Sequence, residues 1–310
     1  MTMRRVVLAG GLILAACSGA SSSVDIAVSG NEVKAEAPPS PPAETLASAT
    51  PTSAPDSTPA PEGGPPATPA PAPVDKPADT PSDKPAPGHI ALKYLMGDVD
   101  PANDPMFAKI PAKYIAGPRT YGHKDAVAAF VRMAEAAQAN GYKLRVVSAF
   151  RSFSDQKQIW EDKWTGKTLV ERGKLPQTVP NPEKRALKIL EYSSMPGTSR
   201  HHWGTDFDLN SLNNSYFKTT EGKRTYDWLT QHAAEFGFCQ TYTAKGEGRP
   251  TGYEEEKWHW SYIPVASWYL KQYPVDVGYE RLTGFLGSDA AKGIDVIKNY
   301  VDGINPECRG

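Results

Sequence analysis

Between Pro38 and Pro87 lie 17 of the chain's 29 prolines, and that density decides what the first quarter of the molecule can be. The stretch is otherwise Ala, Ser and Thr with scattered Asp, Glu and Lys. It offers too little apolar surface to offset the entropy of ordering the chain. A disordered, partly polyproline tether is therefore expected over residues 17–88. Its roughly 70 residues would span ~45 Å as a random coil and ~200 Å as a full polyproline helix. Residues 89–310 remain, enough for one compact domain.

The residues ahead of the tether read as a targeting segment. Arg4 and Arg5 precede an apolar run from Val6 to Leu14, too short to cross a bilayer and suited to a signal peptide. The run ends in Leu14-Ala-Ala-Cys17, which resembles the lipobox of bacterial lipoproteins. That resemblance implies a signal peptide over residues 1–16, a lipid on Cys17 and anchoring to a membrane of the bacterial envelope. The remaining cysteines, Cys239 and Cys308, would pair in an exported protein. A formal net charge of −1 gives no reason to expect nucleic acid as a partner. A monomer is expected.

Within 89–310 the periodicity predicts helices over His123–Asn140 (ended by Gly141), from about Ser154 to Trp164, over Pro182–Tyr192 and over Tyr226–Phe236. Ser154 with Asp155 is the expected cap of the second. Helical pattern also covers Val265–Gln272 and Asp289–Val301. Strands are expected over Lys143–Phe150 and Asp206–Leu209. Phe238–Thr243 and Trp258–Ile263 are expected to form a β-hairpin, and Lys174–Pro182 and Ser193–Thr205 loops. The sum is an α+β domain: a small antiparallel sheet, its hairpin carrying metal ligands, flanked by helices.

Two stretches carry chemistry. Gly197-Thr-Ser-Arg-His-His-Trp-Gly-Thr-Asp-Phe-Asp-Leu209 and Glu256-Lys-Trp-His-Trp260 together offer imidazoles and carboxylates for a metal, and a spare glutamate. A catalytic zinc takes three such ligands and keeps a fourth position open; a free carboxylate nearby can act as base. Along a strand Trp258, Trp260 and Tyr262 would share a core face, leaving His259 turned towards a cleft. Glu256 reaches the same side only from a turn before the strand. His201 and His202 are neighbours that cannot both face one ion easily, and Asp206 and Asp208 compete on one strand face. Spacing does not decide within either pair. A turn at Gly204 would let a loop histidine and a strand aspartate converge.

Ser199-x-His201-x-x-Gly204-x-Asp206-x-Asp208 resembles the Ser-x-His-x-x-Gly-x-Ala-x-Asp signature of zinc D-alanyl-D-alanine carboxypeptidases of the VanY type. Glu256-x-Trp258-His259-Trp260 is similar to that family's Glu-Pro-Trp-His motif, and Ser148-Ala-Phe-Arg-Ser152 to its Gly-Tyr-Arg-Ser segment. The resemblance spans about His123 to Ile263. It implies His201, Asp208 and His259 as zinc ligands, Glu256 as general base, Arg151 as substrate binder and the peptidoglycan stem peptide as substrate. Asp206 stands where the family has Ala, and Lys257 where it has Pro. Arg151 ends a strand and can grip a terminal carboxylate with two parallel hydrogen bonds. Ser199 and Gln156 are further candidates for the cleft wall. An L,D-carboxypeptidase or murein endopeptidase of the same fold, or a non-catalytic wall-binding lipoprotein, are the competing readings.

Overall fold

The computed structural model describes residues 88–170 and 173–310; the expected signal peptide, the Cys17 lipid site and the tether lie outside them. The domain opens with helix α1 (Leu92–Met96) and a two-stranded antiparallel ribbon of β1 (Phe107–Lys109) and β2 (Tyr121–His123). Helix α2 (Lys124–Ala139) follows, and β3 (Val146–Ser148) occupies only the middle of the expected 143–150 strand. Next come α3 (Phe153–Trp164), α4 (Leu175–Thr178) and α5 (Pro182–Ile189), then β4 (Asp206–Leu209) and α6 (Thr220–His232). The chain closes with β5 (Phe238–Gln240), β6 (His259–Tyr262), α7 (Ile263–Asp276) and α8 (Ala290–Gly293). The fold is α+β.

The main sheet is antiparallel in the order β3-β4-β6-β5. Its central strand β4 alternates strictly in role although all four residues are buried. Phe207 and Leu209 face the helices, with the Phe207 ring edge-on to Phe130 of α2 at 5.5 Å. Asp206 and Asp208 face the other way. Helix α2 presents Ala126, Ala129, Phe130, Met133 and Ala137 inwards at helical spacing, the stripe its sequence predicts. Burial of a ring such as Phe207 contributes on the order of 2–3 kcal/mol, so the apolar face of β4 anchors the carboxylates on its back.

Several boundaries differ from expectation for local reasons. Helix α3 is capped by Ser152, not Ser154: the Ser152 hydroxyl accepts from the Asp155 N–H at 3.1 Å, and the Asp155 carboxylate accepts from the Ser152 N–H at 3.4 Å. This reciprocal box satisfies two otherwise orphaned donors and starts the helix two residues earlier. Helix α6 begins six residues ahead of the predicted Tyr226, at Thr220, because Thr219 caps it. Pro176 sits in the first turn of the short α4 within an expected loop. The C-terminal helical stretch breaks into α8 and a π-helical turn, Ile297–Val301. The two strands expected as a hairpin pair directly, Cys239 opposite Ser261, with segment 241–258 between them. Only His259 of the candidate ligands lies on that pair; Asp208 comes from β4 and His201 from a 3-10 turn.

Candidate active site

The sheet register does the first part of the assembly. Asp208 is directly opposite His259 in the β4–β6 pair, where Cβ atoms approach to roughly 5 Å. His201 arrives from the 3-10 turn Arg200–Trp203, which ends at Gly204 with φ +69°. A Cβ at Gly204 would meet the His123 backbone nitrogen and the Phe107 ring at 2.7 Å, so both the positive φ and the crowding require glycine there. The turn brings His201 across to the strand aspartate.

One ligand atom each from His201, Asp208 and His259 lies within 4.8 Å of the others. His201 Nε2 is 3.3 Å from Asp208 Oδ2, and His259 Nδ1 is 3.2 Å from Asp208 Oδ1. These are ion-pair separations without hydrogen-bond geometry at Oδ1, a buried oxygen with no hydrogen-bond partner among the described residues. Three lone-pair donors around one point, one of them an orphaned buried carboxylate oxygen, fit a metal better than they fit one another.

The rest of the polar framework fixes which nitrogens face that point. His201 Nδ1–H donates to the Ala149 carbonyl at 2.9 Å, leaving Nε2 as the ligand atom. His259 Nε2–H donates to Asp206 Oδ2 at 2.9 Å, leaving Nδ1. A backbone carbonyl and a carboxylate thus set the two tautomers, the usual arrangement behind metal-bound imidazoles. His202 is excluded: its Nδ1–H donates to the Arg151 carbonyl at 2.7 Å and its Nε2 accepts from the Gly197 N–H at 3.1 Å. Burial pushes the His202 pKa down to about 3, so the ring is neutral and both nitrogens are occupied.

Asp206 and Asp208 share a face yet do different work. The Arg200 Nε donates to Asp206 Oδ2 at 2.9 Å, while Ser261 and Thr205 hydroxyls donate to Oδ1 at 2.8 and 2.7 Å. Burial opposes ionisation of Asp206, but the Arg200 guanidinium and His259 outweigh it and hold its pKa far below the usual carboxylate range. Burial likewise opposes charge on Asp208, and His201 and His259 overcome it. Burial lowers the His259 pKa, but the Asp206, Asp208 and Glu256 carboxylates around the ring outweigh it and hold it well above normal. A concentration of negative charge this deep calls for a cation.

Glu256 stands where a base is needed. It lies in the turn before β6, held by its N–H to the Tyr242 carbonyl at 2.9 Å, and its own carbonyl accepts from the His259 N–H at 3.2 Å. That turn brings the Glu256 carboxylate to 3.2 Å from His259 Nδ1, past the opposite-face rule of a regular strand. Burial raises the Glu256 pKa, with the His259 contact opposing and Asp208 adding to the rise.

His201, Asp208, His259 and Glu256 line a cavity of about 500 Å³ together with Arg151, Ser199, Lys163 and Trp258. Arg151 follows β3; its N–H donates to the His201 carbonyl at 3.1 Å. Its guanidinium reaches Gln156 Oε1 at 2.7 Å and Ser148 Oγ at 3.2 Å, and its Nε has no partner among the described residues. Gln156 is fully buried and holds Arg151 while donating to the Ser194 carbonyl at 2.7 Å; it supports the cleft wall from behind. The buried Ser199 hydroxyl has no partner among the described residues and borders the cavity.

Trp258 corrects the strand reading: it precedes β6, so alternation does not reach it, and it lines the cavity while Trp260 and Tyr262 enter the core. Sequence reasoning also missed the roles of Arg200, Ser261 and Lys163. Ser261 carried a signal, since it shares the His259 face of β6; Arg200 and Lys163 carried none without the three-dimensional neighbours. Cys239 and Cys308 form a disulfide, with Cα atoms 5.6 Å apart.

Residues 119–265 match the family model VanY, D-alanyl-D-alanine carboxypeptidase. YodJ of Bacillus subtilis (strain 168), a protein assigned as a carboxypeptidase, is 30% identical over 151 residues, and the match covers 47% of this chain and 47% of YodJ. The chain thus spans about half the length of that relative. Among solved structures, the LdcB LD-carboxypeptidase aligns with a TM-score of 0.42 at 24% identity, over 60% of this chain and 79% of that one. A variant of the vancomycin-resistance D,D-pentapeptidase VanY, solved with Zn(II), aligns with a TM-score of 0.38 at 22% identity, over 56% and 93%. The segment that resembles the VanY D-alanyl-D-alanine carboxypeptidase family model, residues 119–265, contains Arg151, the His201–Asp208–His259 cluster and Glu256.

Proposed function

We propose that this protein is a zinc-dependent carboxypeptidase that removes the terminal D-alanine from peptidoglycan stem peptides. The observation that carries the reading is a single cavity holding a three-ligand cluster, a buried carboxylate beside it and an arginine with an unpartnered Nε. Two imidazoles and one carboxylate suit zinc, with His201 Nε2, Asp208 and His259 Nδ1 as ligands. Zinc bound there would supply Lewis acidity, polarising the scissile carbonyl and easing deprotonation of water.

The chain's own residues do the rest. Glu256, with its raised pKa, takes the proton of the attacking water and passes it to the departing amine. Arg151 holds the free C-terminal carboxylate and so sets which peptide bond lies over the ligands. Ser199 is placed to donate to the substrate backbone. Asp206 and the Ala149 carbonyl keep the two histidines in register. A role confined to wall binding leaves Glu256 without a task. The protein acts at the envelope, held to its membrane through a lipid on Cys17.

Glu256→Gln tests the chemistry, since it keeps size and hydrogen bonding but accepts no proton. Zinc content and peptide affinity are expected to hold while turnover falls by roughly 10² or more. Mass spectrometry of products from tetrapeptide, pentapeptide and cross-linked muropeptides identifies the bond. Cleavage only inside cross-links, or only after the third residue, would replace the D,D-carboxypeptidase reading with one of its relatives. Full activity in Glu256→Gln would remove the base.

A further inference from the structure

The carboxypeptidase reading uses one cation, Arg151, yet the cavity wall carries a second. Lys163 lies seven positions after Gln156 on α3, two turns along the same face and about 10 Å along the axis. Ile159, one turn before it, borders the same cavity. The ammonium donates to the Ser193 hydroxyl, the residue before the Ser194 carbonyl that anchors Gln156. Helix α3 thus carries Lys163 and, through Gln156, braces Arg151, so both cations border the cavity that holds Asp208 and Glu256.

No carboxylate among the described residues forms an ion pair with Lys163. Its polar partner among the described residues is a neutral hydroxyl. Burial and the nearby Arg151 both lower its pKa, against a pull from Glu256. A lysine that only packed its stem would keep its head in bulk water; this one brings its charge to the wall of a cavity next to another cation. That costs stability unless a ligand supplies an anion.

We infer that Lys163 is a specificity residue reading a second carboxylate of the substrate, so that the preferred peptide carries one free carboxylate besides its C-terminal one. The inference rests on the carboxypeptidase reading for its orientation but is read out by binding. A second carboxylate has two chemical sources, a dicarboxylic side chain or the α-carboxyl of a residue linked through its side chain.

Isothermal titration of full-length, zinc-loaded Glu256→Gln protein tests it with three synthetic stem-type peptides: one with a free side-chain carboxylate, its side-chain amide, and one with the second carboxylate on a γ-linked glutamate. At least one doubly charged peptide is expected to bind about tenfold or more tighter than the amide, and which one names the source. Adding Lys163→Met should bring the peptides to within about twofold, at unchanged Tm, and Lys163→Arg should restore the preference. Equal binding of all three peptides, or a preference undiminished by Lys163→Met, would overturn the inference. Should the charge preference hold while the Glu256 protein cleaves none of the peptides, the Lys163 site stands and the carboxypeptidase reading falls.

Discussion

Asp206 is placed to support the candidate metal site without being one of its ligands. It sits between the fixed positive charge of Arg200, 2.9 Å away, and the Nε2–H of His259 at the same distance. Removing it frees His259 to rotate or change tautomer and leaves Arg200 buried without its counter-charge. Asp206→Asn is therefore expected to weaken zinc binding by about 10–100-fold in chelator competition, and to lower Tm because a lone buried charge is costly. Affinity equal to wild type would show that the sheet alone orients the ring. Nothing in the local pattern separated Asp206 from Asp208: both alternate onto one face, and the choice depends on Arg200 and Ser261, which reach them through space. His202 was equally ambiguous until its two nitrogens were accounted for. It supplies a prediction of its own. With a folded pKa of about 3 below an unfolded value near 6.5, its stabilising contribution is whole above pH 6.5. That contribution is lost as pH falls towards 3, at up to about 1.4 kcal/mol per pH unit. NMR titration of the metal-free protein should find the His202 ring neutral at pH 5; a ring half-protonated near pH 6.5 would contradict its buried hydrogen-bonded state.

At the scale of elements, the helices were the legible part and the sheet register was not. The 3.6-residue spacing of Ala126, Phe130, Met133 and Ala137 names α2 from sequence alone, because one helix buries one stripe. The pairing of Asp208 with His259 is a cross-strand contact between segments some fifty residues apart, and no local preference encodes it. The segment between β5 and β6 illustrates the same limit. It is organised by Arg249, whose Nη1 donates to the Thr251 and Tyr253 carbonyls at 2.9 Å, and by Asn214, whose amide donates to the Glu255 carbonyl at 2.7 Å. Those bonds place the turn that carries Glu256. Strand β5 is the sheet edge beside the His259 strand, and the Cys239–Cys308 disulfide ties the C-terminus to it. A closed loop of 69 residues' separation restricts the unfolded chain considerably, so Cys239→Ser with Cys308→Ser should cost about 2–4 kcal/mol. The corresponding fall in Tm is about 5–15 °C, with zinc content retained in the native state because neither sulfur touches the ligands. An unchanged Tm in the double variant would mean the C-terminus is held by packing alone.

For the whole molecule, composition separates residues 89–310 from the proline-rich stretch that precedes them. The start of the domain is physically anchored: the Ile90 N–H donates to Gln272 Oε1 at 2.8 Å and the Ile90 carbonyl accepts from Gln272 Nε2 at 2.6 Å. Helix α7 thereby grips the chain one residue after His89, at a point that does not border the candidate active-site cavity. Among the described residues no helix is long and apolar enough to cross a membrane. Residues 17–88 have the composition of a spacer, and Cys17 is the candidate anchor. Catalysis and attachment should then be separable. Cys17→Ser is expected to abolish metabolic lipid labelling and move the protein from the membrane fraction to the soluble one. Its kcat/KM on small soluble stem peptides should stay within about twofold of wild type, since every group around His201, Asp208, His259 and Glu256 lies beyond residue 88. Trimming of intact cell wall in the cell should fall, because the enzyme is no longer held near its substrate at high effective concentration. Unchanged membrane attachment in Cys17→Ser would refute lipid anchoring, whereas loss of activity on soluble peptides would show that the segment before residue 88 contributes to the site itself.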